Sequence, residues 1–478
     1  MCRGRDVKVR KISTPPPTDA MAEPVAARHL YAFLTIAGLE ELAIRALSAE
    51  DQLQDATALP VPEGTIGGAA AGVGAILVRT AMPLPPRVFE SPVVCCSLAV
   101  VMQCELGEGE GLTHICERFR SGDGWTRALD TLEAHATVHG DVRQQAATFR
   151  VCSLRSGNHG FESPQLSAAL GDAVSSLQPT WTVDLVLPNV CLVCTLAQRS
   201  LLIGVLLPPL MARKSDSLPA ESRTWLTSGV ERPHMRPSRA ALLVRLLAPR
   251  AGDVLVDPCG GIGLIAIEAA MYANLTAWSI DLDEAACDSA RDNAASASPT
   301  LRGTVHVLCA DSGNPKRLAL PEASIDVAVA DLPFGMLHEK RLDVGRLLCA
   351  LAKLLRPGGR CLLVGNSGKG GVAAAVVKAG DRFPRKGAWA LERQTALAAG
   401  GIACTAVELR LVPTGAMPDQ QHASQPASDA DAHRPPPSAA AATAAAPGPA
   451  PPSTLTLVQP GSSPVPGLGV AAVSPRAG

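Results

Sequence analysis

Val254-Leu255-Val256-Asp257-Pro258-Cys259-Gly260-Gly261-Ile262-Gly263 decides how the second half of this chain folds. An apolar run of strand character ends on an acid, a glycine-rich turn follows, and apolar residues through Met271 then continue as a helix. Strand, tight turn and helix together form the opening unit of a parallel α/β sheet. Gly260, Gly261 and Gly263 let a ligand approach the backbone and leave N–H groups free at the helix start. A glycine-rich turn alone also fits an ordinary strand–helix connection. Asp257 sharpens the reading, because a carboxylate there repels a pyrophosphate and attracts an ammonium. The expected ligand therefore shifts from a nicotinamide dinucleotide to S-adenosylmethionine.

The same beat continues downstream. Ala277–Ile280 reads as a strand ending at Asp281, Glu284–Asn293 as a helix, Val305–Leu308 as a strand leading to Asp311, and Ile325–Ala330 as a strand leading to Asp331. A helix over Val344–Leu355, a turn at Pro357-Gly358-Gly359 and a strand at Cys361–Val364 follow. The last strand, Ala403–Val412, is expected to pair with a preceding strand near the sheet edge. Strands alternating with helices imply a doubly wound parallel sheet. Asp281, about twenty residues past the glycines, suits two ribose hydroxyls, with a helix N-cap as the competing role. Asp311 suits an adenine amino group or an ordinary surface turn. Asp331-Leu332-Pro333-Phe334-Gly335 places an acid and an aromatic at a strand end. That pair fits a flat base bearing an exocyclic amine: Asp331 accepts an N–H, a carbonyl of the rigid turn at Pro333 accepts the second, and Phe334 stacks.

Upstream, residues 28–212 carry mixed α/β patterning without the βαβ beat. Strands are expected at His29–Thr35, Pro92–Gln103, Thr148–Ser153, Thr182–Leu187 and Leu201–Leu207. Helices are expected at Gly38–Ser48, Gly111–Phe119 and Pro164–Leu177, the last capped by Ser163. Residues 1–27 and 414–478 read as a disordered leader and a disordered Ala/Pro-rich tail, too poor in bulky apolar residues to offset their ordering entropy. Residues 213–235 read as a linker, with Arg213, Lys214, Arg232, His234 and Arg236 either solvated or facing a phosphate backbone.

Composition narrows the function classes. With 478 residues, 47% apolar and 18% charged, the chain can bury a large core, and with 3% aromatics that core is mostly aliphatic. A net charge of −1 excludes nucleic-acid binding by bulk charge alone. The most apolar stretch, Trp181–Met211, is interrupted by Asp184, Pro188, Arg199 and Pro208, so no membrane span is expected. The basic N-terminus lacks the apolar core of a secretory signal. Fourteen scattered cysteines fit buried thiols in a reducing compartment, and Cys191-Leu192-Val193-Cys194, lacking a second pair, reads as packing rather than a metal site. No metal is expected.

Taken in order, Arg236-Pro237-Ser238, Asp257–Ala270, Asp331–Gly335, Leu355-Arg356-Pro357-Gly358-Gly359 and Gly400-Gly401 resemble the catalytic domain of THUMP-domain RNA guanine-N2 methyltransferases. Phe149-Arg150-Val151, Phe161, Gly171-Asp172-Ala173-Val174 and Ile203-Gly204-Val205 are similar to the THUMP domain, and His29–Ser48 resembles the ferredoxin-like element before it. Residues 49–90 match poorly. Ala266 stands where family members often have Pro, and Cys259-Gly260 shifts the usual Asp-Pro-x-Cys-Gly spacing. The resemblance implies a Rossmann-like class I methyltransferase domain at 236–413 preceded by an α+β RNA-binding region. It further implies S-adenosylmethionine held by Asp257, Gly260, Gly261, Gly263, Asp281 and Asp311, with Asp331, Pro333 and Phe334 catalytic. The implied substrate is a guanosine of tRNA or another structured RNA such as a small nuclear RNA. A small zinc-binding Trm112-like activator subunit is the implied protein partner. The expected location is the cytoplasm, with nucleus or organelle as alternatives.

Overall fold

The computed structural model describes residues 29–50, 53, 56–58, 73–139, 148–207, 221, 223–314, 318, 320–333, 343–368, 370–382, 388–399 and 402–412. The leader, the tail, Arg213, Lys214, Phe334, Gly335 and Gly400-Gly401 lie outside the described residues.

Eight strands form the N-terminal sheet: β1 (His29–Ile36), β2 (Ala56–Ala58), β3 (Val73–Thr80), β4 (Cys96–Glu105), β5 (Thr148–Ser156), β6 (Thr182–Val183), β7 (Val190–Ala197) and β8 (Ser200–Leu206). Their order is β2-β3-β1-β4-β8-β7-β5-β6. All pairings are antiparallel except those of β5 with β6 and β7. Pairing of β4 with β8, from Leu98↔Leu206 to Glu105↔Ser200, joins the segments read from the sequence as ferredoxin-like and THUMP-like into one continuous sheet. Helices α1 (Glu40–Glu50), α2 (Pro86–Phe89), α3 (Leu112–Ser121), α4 (Gly124–His139) and α5 (Ser163–Leu177) accompany it. Tyr31, Phe33 and Phe89 pack with ring centroids 5.7–6.4 Å apart, and Trp125 meets Phe119 and Trp181 at 5.6 and 5.8 Å.

Two local expectations change here. The expected strand Thr182–Leu187 stops at Val183, because the Asp184 side chain accepts the Val186 and Leu187 N–H groups and bends the chain into a turn. The cap of α5 is Glu162 rather than Ser163: its N–H donates to Gln165 Oε1 at 2.7 Å in a capping box. Helix α4 and strand β3 were not legible in the patterning. Cys191 and Cys194 are buried on β7, and the described cysteines are free thiols. Among the described residues no helix is long and apolar enough to cross a membrane.

The C-terminal sheet holds β9 (Val254–Asp257), β10 (Thr276–Asp281), β11 (Thr304–Cys309), β12 (Ile325–Asp331), β13 (Leu355–Asn366), β14 (Ala388–Ala399) and β15 (Ile402–Val412), in the order β11-β10-β9-β12-β13-β15-β14. The first five in that order run parallel; β15 is antiparallel to both β13 and β14. Helices α6 (Pro237–Leu247), α7 (Leu264–Tyr272), α8 (Glu284–Ala297), α9 (Val344–Leu354) and α10 (Val372–Arg382) flank it. The expected turn at Pro357-Gly358-Gly359 lies inside β13, where the register with β12 slips between Ile325/Leu355 and Val327/Arg360 and Gly358 takes φ +80°. The strand order reverses between β9 and β12, which opens a crevice at their carboxyl ends.

The two sheets share one core. Phe33 and Leu98 from the first sheet cluster with Leu243, Leu255, Val329 and Leu397 from the second half. Ala398 N–H donates to Ala37 O at 3.0 Å. The next residue, Gly38, has φ +91°, and a Cβ there would lie 2.2 Å from Ala396 O. Glu221 and Trp225, within the stretch read as a linker, are buried.

Candidate active site at the carboxyl ends of the parallel strands

Asp257, Asp281 and Asp331 end β9, β10 and β12, and Asp311 follows β11. The sheet thus lines up the four acids read from the sequence along one edge, because each strand ends where its polar residue can leave the apolar layer. Gly260 and Gly263 are required by packing. A Cβ on Gly260 would lie 2.0 Å from Ser279 Oγ, and one on Gly263, which has φ +89°, would lie 3.1 Å from Ala290 Cβ. Gly261 differs: it has φ +50° and nothing within 4 Å of where its Cβ would point, so its outer face is open.

Each acid is held differently. Asp257 is 1% exposed and accepts the Cys259 N–H at 3.1 Å. Burial pushes its carboxyl up to about 8, and the nearby charges of Asp281 and Asp331 push in the same direction. Asp281 accepts Gly261 N–H at 2.8 Å and Asp283 N–H at 2.9 Å, so it pins the glycine turn to the end of β10. The cap of α8 is Asp283, which accepts from Ala285 and Ala286; Asp281 is therefore free of the N-cap role. Asp311 accepts Gly313 N–H at 3.0 Å and pairs with Arg346 at 2.7 Å, which makes it the anchor of a surface turn as the structure stands. Asp331 pairs with Arg239 at 2.8 Å, with side chains 17% and 8% exposed. Pro333 is half-buried just beyond it.

Three supporting residues went unread in the sequence. Asn293 is fully buried on α8; its Oδ1 accepts Thr227 and Ser228 N–H, and its Nδ2 donates to Ser228 O and Ile262 O. It fastens the segment before α6 to the glycine turn. Glu221 accepts Ser238 N–H at 2.6 Å and Ser238 Oγ–H at 2.8 Å. Arg239 lies one residue beyond. None of them repeats, alternates or clusters in sequence, so no pattern marks them. Of the basic residues around residue 230, Arg232 pairs with Asp283 at 2.8 Å and Arg236 lies 3.5 Å from Glu221.

Residues 228–370, which contain the four acids, the glycine turn, Arg239 and Asn293, match the family described as RMKL-like, methyltransferase domain. This segment is similar to a methyltransferase domain. Three curated relatives are similar to part of this chain. They are a mouse U6 snRNA (guanine-N(2))-methyltransferase (THUMPD2), 28% identical over 46% of this chain and 39% of its own length; a bovine tRNA (guanine(6)-N(2))-methyltransferase (THUMP3), 26% identical over 51% and 48%; and a Thermus thermophilus tRNA (guanine(6)-N2)-methyltransferase, 30% identical over 46% and 62%. The chain thus spans less than half the length of the two mammalian relatives. The crystal structure of TrmN from Thermus thermophilus shares the fold, with a TM-score of 0.53 at 22% identity over 80% of this chain and 99% of that one. At the opposite, amino ends of the methyltransferase strands lies a cavity of about 260 Å³ lined by Arg250, Asp253, Asp326, Arg360 and Arg410. Arg360 there donates to Leu247 O and Ala248 O, which caps the end of α6.

Proposed function

We propose that this chain is an S-adenosylmethionine-dependent RNA methyltransferase acting on the exocyclic N2 of a guanosine, in tRNA. The observation that carries the reading is Asp257, a fully buried carboxylate at the switch point with no cationic side chain paired to it among the described residues. A cofactor bearing an ammonium supplies the missing charge, and the open face of Gly261 leaves room for it. When bound, S-adenosylmethionine supplies an electrophilic methyl group on a sulfonium.

The chain's own residues do the rest. Asp257 holds the cofactor's ammonium. Asp281, with its oxygens already ordering the glycine turn, offers its remaining lone pairs to the ribose hydroxyls. Asp311 is the adenine-side acid and shares its carboxylate with Arg346. On the base side, Asp331 accepts a hydrogen of the guanine amine, aims the nitrogen lone pair and offsets the positive charge that develops on transfer. Pro333 keeps the turn rigid, and Phe334 stacks on the base. The N-terminal sheet captures the RNA, a role that rests on the resemblance of residues 148–207 to the THUMP domain.

The relatives' names support guanine N2 as the target and divide between two carriers, tRNA and U6 snRNA. A small nuclear RNA guanosine is therefore the second reading. A Trm112-like subunit would add to a sheet edge, and β11 and β14 are the two edges of the methyltransferase sheet. Free thiols fit the cytoplasm. The test is incubation of the purified protein with labelled S-adenosylmethionine and total RNA, with and without the subunit, followed by digestion and separation of nucleosides. Label in N2-methylguanosine, recovered mainly in tRNA, is expected. Label in N6-methyladenosine, or none under either condition, overturns the reading.

A further inference from the structure

Asp257 and Asp281 are held by backbone N–H groups, Asp257 by its own loop and Asp281 by its own loop and the glycine turn, whereas Asp331 is gripped by a side chain from another element. Arg239, in the first turn of α6, reaches across to the end of β12 and places Nη2 2.8 Å from Asp331 Oδ1. Both side chains are largely withdrawn from water, at 8% and 17% exposure, so the pair is neither screened nor free to wander.

The helix that carries Arg239 is itself immobilised. Its residues are buried along nearly the whole length. Glu221 binds both the N–H and the hydroxyl of Ser238, and Ser238 Oγ lies 3.2 Å from Cys95 Sγ. Cys95 is in turn tied to the N-terminal sheet by its N–H, which donates to Leu34 O at 2.7 Å. A path of packed and hydrogen-bonded groups therefore runs from β1 through Cys95 and Ser238 to Arg239 and the strand-end carboxylate.

The electrostatics at that spot call for such a cation. Asp331 lies near Asp257 from β9 and the Cys259 thiol from the glycine turn, Asp281 from β10 adds its charge to the same group, and Arg239 on α6 pairs with Asp331. Like charges this close disfavour one another's ionised forms. A carboxyl that took up a proton would present an O–H to the substrate amine where an acceptor is needed.

We propose that Arg239 is a positioning residue that holds the Asp331 carboxylate as an aimed, acceptor-only group and ties that aim to the N-terminal sheet. The proposal rests on the reading of Asp331 as the base-side acid. Arginine suits the task better than lysine, because its planar fork fixes direction as well as charge.

The experiment measures single-turnover methylation at saturating S-adenosylmethionine and RNA across pH for the wild type, Arg239→Met, Arg239→Lys, Asp331→Asn and the double variant Arg239→Met/Asp331→Asn. Cofactor affinity is measured alongside by calorimetry, and stability by urea denaturation. Arg239→Met is expected to slow transfer about 10- to 100-fold and to move the acid limb of the profile to higher pH, with cofactor affinity within about twofold of wild type. Arg239→Lys is expected to restore the acid limb but only part of the rate. In the Asp331→Asn background, Arg239→Met should change the rate less than about twofold, because the effect runs through that carboxylate. A purely structural role would lower stability and affinity together, leave the acid limb in place and cost the same in both backgrounds. Equal losses in the two backgrounds, an Arg239→Met rate equal to wild type, or a faster one, overturn the proposal. If Arg239→Met does not fold, an unshifted and unimpaired Arg239→Lys profile overturns it equally. A wild-type protein that binds cofactor yet methylates no guanosine overturns the reading of the site and this proposal with it. A methylating wild type with an indifferent Arg239 overturns the proposal alone.

Discussion

In the N-terminal sheet, Tyr31, Phe33, Phe89, Phe119, Trp125 and Phe149 fill the core, and neighbouring strands such as β4 and β8 come from distant parts of the chain. In the C-terminal sheet the core is almost wholly aliphatic, the adjacent pairs β9–β10, β10–β11 and β12–β13 are each joined through a helix, and the acids fall at the strand ends. The contrast separates two ways of placing functional groups. A parallel sheet delivers them by local chain geometry, since every strand of a βαβ unit exits at the same edge. A sheet of long-range antiparallel pairings presents a broad surface instead, and its order depends on which side chains fit together.

If this division is right, the largest effect of a point change belongs to the strand-end acids. Asp331→Asn is expected to lower the single-turnover rate about 10²–10³-fold, or about 3–4 kcal/mol, with cofactor affinity nearly unchanged and a lower melting temperature from the uncompensated Arg239. A near-wild-type rate in the folded variant would break the assignment of chemistry to that edge.

Gly38→Ala tests whether the sheets are separable at all. Its φ of +91° and the 2.2 Å approach of a Cβ to Ala396 O predict a loss of about 2–4 kcal/mol, read as one cooperative transition in urea. Two separate transitions, with the methyltransferase half unaffected, would show that the shared core does not couple the halves.

Asp257→Asn should weaken S-adenosylmethionine binding about 10- to 100-fold by calorimetry. Its effect on the empty protein has the opposite sign. In the unfolded chain this carboxyl ionises near its ordinary 3.8, but in the fold only near about 8. The folded state therefore holds the extra proton across that window, and stability is lost as pH rises through it. Asp257→Asn should flatten this part of the slope and raise the melting temperature at pH 8 relative to wild type. An unchanged slope would remove the buried carboxylate from the account.

The smallest expected effect is that of Asn293→Ala, which strips four hydrogen bonds between α8, the 227–228 segment and the glycine turn. A loss of about 1–3 kcal/mol in denaturation is expected, with faster amide exchange at Thr227 and Ser228. Unaltered protection at both amides would mean that other contacts hold the segment.

The strand ends of the parallel sheet were legible because their signals are local, whereas α10 and β14 went unread. Asp257 with its glycines, Asp281 and Asp331 each stand at a strand end that the sequence marks within a few residues, and the structure brings all three to one edge. Phe334 was legible as a motif residue and lies outside the described positions. The strand at Thr182–Leu187 was misread because alternation of apolar residues says nothing of the Asp184 side chain that captures two N–H groups and turns the chain. Helix α4 was missed because its apolar residues face β1 and β4, elements that sequence periodicity does not connect to it.

The sequence by itself determined the parallel α/β sheet, the glycine turn and the acids at the strand ends, because each depends on residues close together in the chain. Only the tertiary structure decided that the segments read as ferredoxin-like and THUMP-like form one sheet, that this sheet shares a core with the C-terminal sheet, and that Arg239 grips Asp331 across a separation of 92 residues. Those outcomes depend on long-range contacts, whose free energy arises only when several surfaces are buried together.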